Sequence, residues 1–221
     1  MSRRLLDLAL GVPALLVSVP VMAVAATLVK LDSPGPAFFV QTRVGRGRRP
    51  LRIYKLRSMV HGAERKGPAV TASSDDRITR VGRLLRKTKL DELPQLFNVV
   101  KGEMSLVGPR PEAPRYVEQY KPEWLPLLEV RPGITDLASL VFRDEEQLLS
   151  QAHDRERGYV QAVMPAKLQV ALEGVQRSSV VYDLGILLRT ALAVVRPGAS
   201  THPALQKSAQ AIERLNHEPS K

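Results

Sequence analysis

The chain has 221 residues, 44% of them hydrophobic and 25% charged, which suffices for one compact domain with appendages but scarcely for two large cores. Its 33 Lys and Arg against 22 Asp and Glu give a net charge of +11, which points to a polyanionic partner: nucleic acid, anionic lipid or a phosphorylated substrate. Zero cysteines exclude disulfides, thiol nucleophiles and cysteine-ligated zinc or iron–sulfur sites, and four scattered histidines without a His-x-x-x-His pair argue against a zinc hydrolase.

The first predicted element is an apolar helix. After Arg3, Arg4 and Asp7, residues 8–29 carry no charge, and Lys30 and Asp32 close the run. A helix of that length rises about 33 Å, enough to cross a hydrocarbon core of about 30 Å. Three readings compete. A secretory signal peptide fits the basic start and the small triplet Ala23-Val24-Ala25, but not Asp7 at the head of the run or the cysteine-free sequence that follows. A spanning helix must tolerate Pro13 and Pro20. A re-entrant helix bends near Ser18-Val19-Pro20, with the Ser18 hydroxyl satisfying a freed backbone group. Basic residues flank both ends, Arg3 and Arg4 before and Lys30, Arg43 and Arg46 after, which favours both on the cytoplasmic side. On the residues alone, spanning and re-entrant forms are evenly matched.

Residues 41–90 hold 15 basic and 3 acidic side chains, so this segment carries nearly all the excess charge. After the turn cluster Ser33-Pro34-Gly35-Pro36, residues 37–42 and 51–57 read as the strands of a β-hairpin around the Gly- and Arg-rich run 44–50. Most of its arginines are explained as charge dressing an exposed edge. Lys55 and Arg57 share one face by alternation, so that pair is a candidate lining of a site. Residues 61–74 read as a loop. Asp75 or Asp76 is the expected cap of the next helix, whose apolar positions are Ile78, Val81, Leu84 and Leu85; Arg77 and Arg80 are assigned to its solvated face.

Behind this basic helix stands Lys89-Leu90-Asp91-Glu92-Leu93-Pro94-Gln95-Leu96-Phe97-Asn98-Val99-Val100-Lys101-Gly102. Leu93, Leu96, Phe97 and Val100 form an apolar stripe, and Gly102 sits where a C-cap belongs, so a short helix is expected from about Asp91. Capping accounts for Asp91 or Glu92 alone and less well for both beside Arg83, Arg86, Lys87 and Lys89. Cations and helix amides attract phosphate, whereas two carboxylates repel it unless a divalent cation intervenes; Mg²⁺ between the carboxylates and a diphosphate resolves the conflict. Next, prolines on both sides of Arg110 stiffen the backbone that presents its guanidinium, and Val130-Arg131-Pro132-Gly133-Ile134-Thr135 repeats the theme.

Four motifs in order, Lys55-Leu56-Arg57-Ser58-Met59, the Leu90 to Val99 run containing Asp91-Glu92, Met104-Ser105-Leu106-Val107-Gly108-Pro109-Arg110-Pro111 and Val130 to Thr135, closely resemble those of the bacterial sugar transferase family, the monotopic polyprenol-phosphate phosphoglycosyl transferases. The resemblance covers roughly residues 3–197. It implies transfer of a sugar 1-phosphate from a UDP-sugar to undecaprenyl phosphate, with UMP released and Mg²⁺ required, as the first membrane step of glycoconjugate assembly. It implies that Asp91 is the nucleophile, forming an acyl phosphate that the lipid phosphate resolves, and that Glu92 assists metal binding or positioning. Lys55, Arg86 and Arg110 match basic motif positions and are assigned to phosphate binding, with Arg131 a weaker candidate; Asp91 and Glu92 are the candidate metal ligands. It also implies a re-entrant amino-terminal helix and a monotopic enzyme of the bacterial cytoplasmic membrane, with membrane lipids as partners and both termini cytoplasmic. Two departures stand out: Val19 intervenes between Ser18 and Pro20, and Asp136 follows Ile-Thr where the family often has Gly.

Residues 144–152, 165–175 and 179–195 read as three further helices, the last with a broad apolar face suited to the core or to a membrane interface. The resulting expectation is an α+β, mainly helical fold. It has a Pro-kinked membrane helix over 1–32, a cytoplasmic catalytic domain over 33–197 with a short β-hairpin and amphipathic interfacial helices, and a polar flexible tail over 198–221. The competing function is a membrane-attached basic nucleic-acid-binding protein. No aromatic interleaves with residues 77–89 to stack on bases, so nucleic acid is not expected as a partner; self-association stays open.

Overall fold

The computed structural model describes residues 2–65, 67, 70–195 and 202–217. A long helix α1 (Ser2–Asp32) leads into an antiparallel hairpin, β1 (Phe38–Val44) and β2 (Pro50–Leu56), then α2 (Arg80–Thr88) and α3 (Gln95–Lys101). Two three-residue strands, β3 (Ser105–Val107) and β4 (Gly133–Thr135), flank α4 (Pro114–Val117) and the 3₁₀ segment Pro122–Leu128. Helices α5 (Leu137–Val141), α6 (Glu145–Leu149), α7 (Arg155–Gly158), α8 (Met164–Gln176), α9 (Val180–Val195) and α10 (Pro203–His217) complete the chain. The mainly helical expectation and the hairpin are both found, the latter in the register Phe39↔Lys55 and Thr42↔Arg52.

Helix α1 stays helical through Pro13 and Pro20, and the Ser18 hydroxyl donates to the Leu15 carbonyl at 2.8 Å. Its buried positions, Asp7, Gly11, Ser18, Ala25 and Val29, recur every three to four residues or at multiples of that spacing, forming one stripe along the helix. Three of the five are small, which lets the backbone approach closely; a Cβ on Gly11 would already sit 3.3 Å from Val99 Cγ1. Leu5, Leu16, Val17, Val24 and Leu31 lie open on the remaining surface.

Both ends of α1 are fastened. At its start, Arg4 donates to the carbonyls of Val99 (2.6 Å) and Val100 (2.7 Å) near the end of α3, Arg3 pairs with Asp183 on α9, and the buried Asp7 accepts from Ser105 Oγ and from Leu106 N–H at 2.8 Å. At its end, Asp32 accepts from Val81 N–H at 3.0 Å. Arg57 donates to the carbonyls of Val29, Ser33 and Pro34, covering acceptors that a helix terminus leaves open. Ala25 and Val29 pack there against Leu56 and Leu85. Arg57 therefore does not join Lys55: β2 ends at Leu56, and the arginine is drawn to the end of α1.

The parallel pair β3·β4 was not foreseen, since three-residue strands carry no readable period. It brings Gly108 against Gly133 so tightly that a Cβ on Gly133 would lie 2.1 Å from Gly108 N, which fixes glycine at both places. The Pro-Arg-Pro and Arg-Pro-Gly turns are thereby set side by side. The core has two larger parts: Ile53, Val99, Met104 and Ile186 between β2, α3, β3 and α9, and a cluster including Trp124, Phe142, Tyr159 and Val163 among the later helices.

Three expectations need correction. The cap of α2 is Thr79, whose hydroxyl accepts from Gly82 N–H at 3.0 Å, while Asp75 forms a buried ion pair with Arg77 at 2.7 Å. Arg77 is thus a buried arginine and no part of a solvated helix face. In α3 it is Gln95, Leu96, Asn98 and Val99 that are buried, with Phe97 exposed, because Asn98 binds the Arg52 carbonyl at 2.8 Å and Glu103 at 2.7 Å. Of the expected flexible tail, 202–217 are described and 203–217 form α10: Ile212 and Ser208 are buried, and Ser208 Oγ donates to the Ala162 carbonyl at 3.1 Å. Residues 198–201 and 218–221 of that expectation lie outside the described residues.

Candidate active site

Helix α2 ends where Lys89 adopts a left-handed backbone (φ 59°), turning the chain into the 3₁₀ turn Leu90–Glu92 that precedes α3. That turn delivers Asp91 and Glu92 beneath β2. Helix α2 is itself held close to the Lys55-Leu56-Arg57-Ser58-Met59 segment: Thr79 N–H bonds the Ser58 carbonyl at 3.1 Å, and a Cβ on Gly82 would fall 1.9 Å from the same oxygen.

Glu92 Oε1 accepts from Lys55 Nζ at 3.1 Å and from Arg110, and Oε2 accepts from Arg110 at 3.0 Å, a bidentate grip on a carboxylate already held by an ammonium. Burial works against the charge of Glu92, yet Arg110 and Lys55 hold its carboxyl well below the usual carboxylate range. Burial lowers Lys55, opposed by the charge of Glu92.

Asp91 differs in every respect. It is 7% exposed, and its Oδ1 is buried without a hydrogen-bond partner. Burial, and next the like charge of Glu92, push its pKa from 3.8 up to about 6, against the pull of Lys55, Arg86 and Lys89. Two adjacent carboxylates are thus driven apart: Glu92 is a matched structural anion, and Asp91 is an unmatched one with an oxygen to offer.

The structure brings Asp91, Glu92, Lys55 and Arg110 together. Arg86 lies close enough for its charge to act on Asp91, but its guanidinium is held by Glu146 of α6, a residue that sequence reasoning passed over. Arg131 is not at the dyad; it lines a separate cleft with Asp136 and Tyr182. Glu112 was also missed. It lies half-buried near Arg110, accepting from Arg43 at 2.7 Å and from Tyr159, and it anchors the segment that presents Arg110. Its position directly after Pro-Arg-Pro was the available signal.

Among the described residues no group of three or more His, Cys, Asp and Glu stands ready to enclose a metal. The dyad does suit an ion of the Mg²⁺ kind, which takes one or two carboxylates and completes its shell with water and substrate phosphate. Asp91 has the free oxygen for that; both oxygens of Glu92 are committed to cations.

Large exposed apolar side chains concentrate on α1, on Phe38, Phe39 and Val40 at the start of β1, and on Val181, Leu184, Leu188 and Leu192 of α9. Among the described residues one helix, α1, is long and apolar enough to cross a membrane.

Residues 1–197 match the family model described as bacterial sugar transferase. A UDP-N-acetylgalactosamine-undecaprenyl-phosphate N-acetylgalactosaminephosphotransferase of Aeromonas hydrophila is 46% identical over 142 residues, 63% of this chain and 34% of that protein. UDP-glucose:undecaprenyl-phosphate glucose-1-phosphate transferases are 40% identical over 197 residues in Caulobacter vibrioides (86% of this chain, 68% of that one) and 37% identical over 192 residues in Escherichia coli (85% and 39%). The chain therefore spans about a third of the Aeromonas protein and about two thirds of the Caulobacter one.

Proposed function

Because this chain belongs to the bacterial sugar transferase family, we propose that it moves a sugar 1-phosphate from a UDP-sugar to undecaprenyl phosphate, releasing UMP, in the assembly of a bacterial glycoconjugate. The observation that carries this reading is the unequal dyad: an almost fully buried Asp91 with an unpartnered oxygen beside a Glu92 neutralised by Lys55 and Arg110.

Asp91 is the nucleophile. With a pKa of about 6 it is largely ionised at neutral pH, so no base has to remove a proton first. A carboxyl oxygen bonds to the sugar-proximal phosphorus, and the bond from that phosphorus to the bridging oxygen breaks with its electron pair going to UMP. An oxygen of the lipid phosphate then bonds to the same phosphorus and displaces the Asp91 carboxylate, regenerating the enzyme. Each step drives anion against anion, so fixed positive charge carries the catalysis. Glu92 holds Lys55 and Arg110 in place for the diphosphate, and Arg86 exchanges Glu146 for phosphate oxygen. Asp91, through its unpartnered oxygen, would hold a Mg²⁺ ion, which would supply the remaining charge neutralisation.

A membrane-bound, monotopic placement fits this chemistry. Arg4 and Asp7 at one end of α1 and Asp32 at the other grip the same catalytic domain, which supports a helix that enters one leaflet with both ends on the cytoplasmic side. The nucleic-acid reading weakens correspondingly, because Arg77 and Arg86 are engaged by Asp75 and Glu146.

Purified protein incubated with undecaprenyl phosphate, Mg²⁺ and a panel of UDP-sugars is expected to release UMP with one of them, and mass spectrometry is expected to find a phosphosugar on the Asp91 peptide when the acceptor is withheld. Full turnover by Asp91→Asn removes the nucleophile assignment. Single cysteines at Ser2 and Glu118, in a chain that has none of its own, are both expected to resist an impermeant thiol reagent in intact cells. Labelling of Ser2→Cys alone means a spanning helix.

A further inference from the structure

Among the described residues, eight buried side-chain polar atoms lack a hydrogen-bond partner, and three of them, Asp136 Oδ2, Ser178 Oγ and Tyr182 OH, belong to residues lining a single cleft. The cleft lies between α8, α9 and the β4–α5 corner and is partly open to solvent, with Arg131 also on its wall. Buried polar groups are nearly always paired, so three orphans around one space mark a place where something polar belongs. Asp136 is 94% buried, its exposure being 6%; its Oδ1 caps α5 by accepting from Ser139 N–H at 2.7 Å, which leaves Oδ2 free. Tyr182 OH faces α8, where a Cβ on Gly174 would come within 3.4 Å of it. Burial raises the Tyr182 phenol, so it keeps its proton at neutral pH and can donate. Arg131 has no hydrogen bond or ion pair among the described residues.

This cleft adjoins the one that Arg110 lines: Pro109 and Asp136 line both, and the charges of Lys167 and Arg110 reach the Asp136 carboxyl. A ligand whose phosphate lies at Arg110 thus has a polar recess beside it.

We propose that this recess receives the sugar ring of the nucleotide donor, with Asp136 Oδ2 accepting from one ring hydroxyl while Tyr182, Ser178 and Arg131 bond to others. The inference rests on the transferase reading above and adds the residues that select the sugar. The chemistry favours a neutral, hydroxyl-rich ring. A second phosphate would face the carboxylates of Asp136 and Asp183, and a uracil edge offers Asp136 a single N–H flanked by two carbonyl oxygens. A pyranose instead offers adjacent hydroxyls that donate to a carboxylate and accept from a phenol or guanidinium.

The test compares wild type, Asp136→Asn and Tyr182→Phe for kcat/KM with UDP-glucose, UDP-galactose, UDP-N-acetylglucosamine and UDP-N-acetylgalactosamine, together with UMP inhibition, the KM for undecaprenyl phosphate and thermal unfolding. Asn at 136 can still cap α5, and Phe at 182 breaks no protein hydrogen bond, so both variants are expected to fold. The preferred donor should lose about 10- to 100-fold in Asp136→Asn and about 5- to 10-fold in Tyr182→Phe, with poor donors changing less, so that selectivity collapses. UMP inhibition and the lipid KM should not move. Equal losses on all donors mean a structural role, weakened UMP inhibition means a nucleoside site, a changed lipid KM alone means an acceptor site, and unaltered kinetics mean a water-filled recess; each overturns the proposal. Wild-type turnover with unaltered variants rejects this inference only, whereas no wild-type UMP release from any of the four donors rejects the transferase reading and this inference with it.

Discussion

Asp91→Asn is expected to abolish turnover and to make the protein more stable. The rise of the Asp91 pKa from 3.8 to about 6 means that folding places an ionised carboxylate where it is disfavoured, a cost of about 3 kcal/mol once both folded and unfolded states are ionised. Below pH 3.8 both states hold the proton and the cost vanishes. Between about pH 4 and 6 the unfolded chain ionises first, so this group's contribution to stability falls as pH rises; above pH 6 the cost is constant. Asparagine keeps the shape and removes the charge. At pH 7.5 the variant should therefore gain up to about 3 kcal/mol, or a melting temperature higher by several degrees, and the gain should shrink to near zero at pH 4. Urea unfolding of the micelle-solubilised protein at both values measures it. A variant less stable than wild type at pH 7.5, or a gain independent of pH, refutes the argument that burial strains this carboxylate.

The same shift predicts that kcat/KM for the donor rises with pH through about 6 and then levels, as Asp91 loses its proton; a pH–rate profile flat from 5 to 8 contradicts it. Glu92→Gln should move that acid limb to lower pH by removing a like charge. It should also destabilise the fold by about 1–3 kcal/mol, because Lys55 and Arg110 lose a partly buried counter-charge; urea midpoints check the second effect. Gly82→Ala, which drives a methyl to 1.9 Å from the Ser58 carbonyl, should cost more than about 3 kcal/mol and lower activity by shifting α2 off the strand that carries Lys55, measurable as a drop in melting temperature.

The legible parts of this molecule were those with a period or a chemical conflict. Two runs rich in Phe, Val, Ile and Tyr around a glycine turn marked the hairpin, and two carboxylates amid cations marked the dyad. Alternation could not separate Lys55 from Arg57, because both occupy the same face on paper; the difference arises where β2 ends and the end of α1 presents three carbonyls. Nor could it place Arg86 and Glu146, which are 60 residues apart and meet only through packing of α6 on the site. Helix α10 was hidden by composition: Leu205, Ser208, Ile212 and Leu215 recur at helical spacing inside a polar segment, and polarity was weighed above period.

The packing face of α1, though not the helix itself, was hidden for the opposite reason, since uniform apolarity masks which side meets protein and which meets lipid. The discriminating signal is residue size: Gly11, Ser18 and Ala25 stand seven apart, two helical turns, and fall on the one stripe that packs against the domain. Small residues let helix backbones approach closely, whereas lipid makes no such demand. Asp7 completes the argument. A carboxylate at the head of an apolar helix is costly in hydrocarbon, but here it accepts from Ser105 Oγ and Leu106 N–H at the start of β3. It therefore ties the amino-terminal end of α1 to the strand that leads into Arg110. Residues that read as blemishes in a membrane span are thus the ones that keep the helix against the domain that carries Asp91, the proposed nucleophile, where the proposed lipid acceptor and nucleotide donor would both have to arrive.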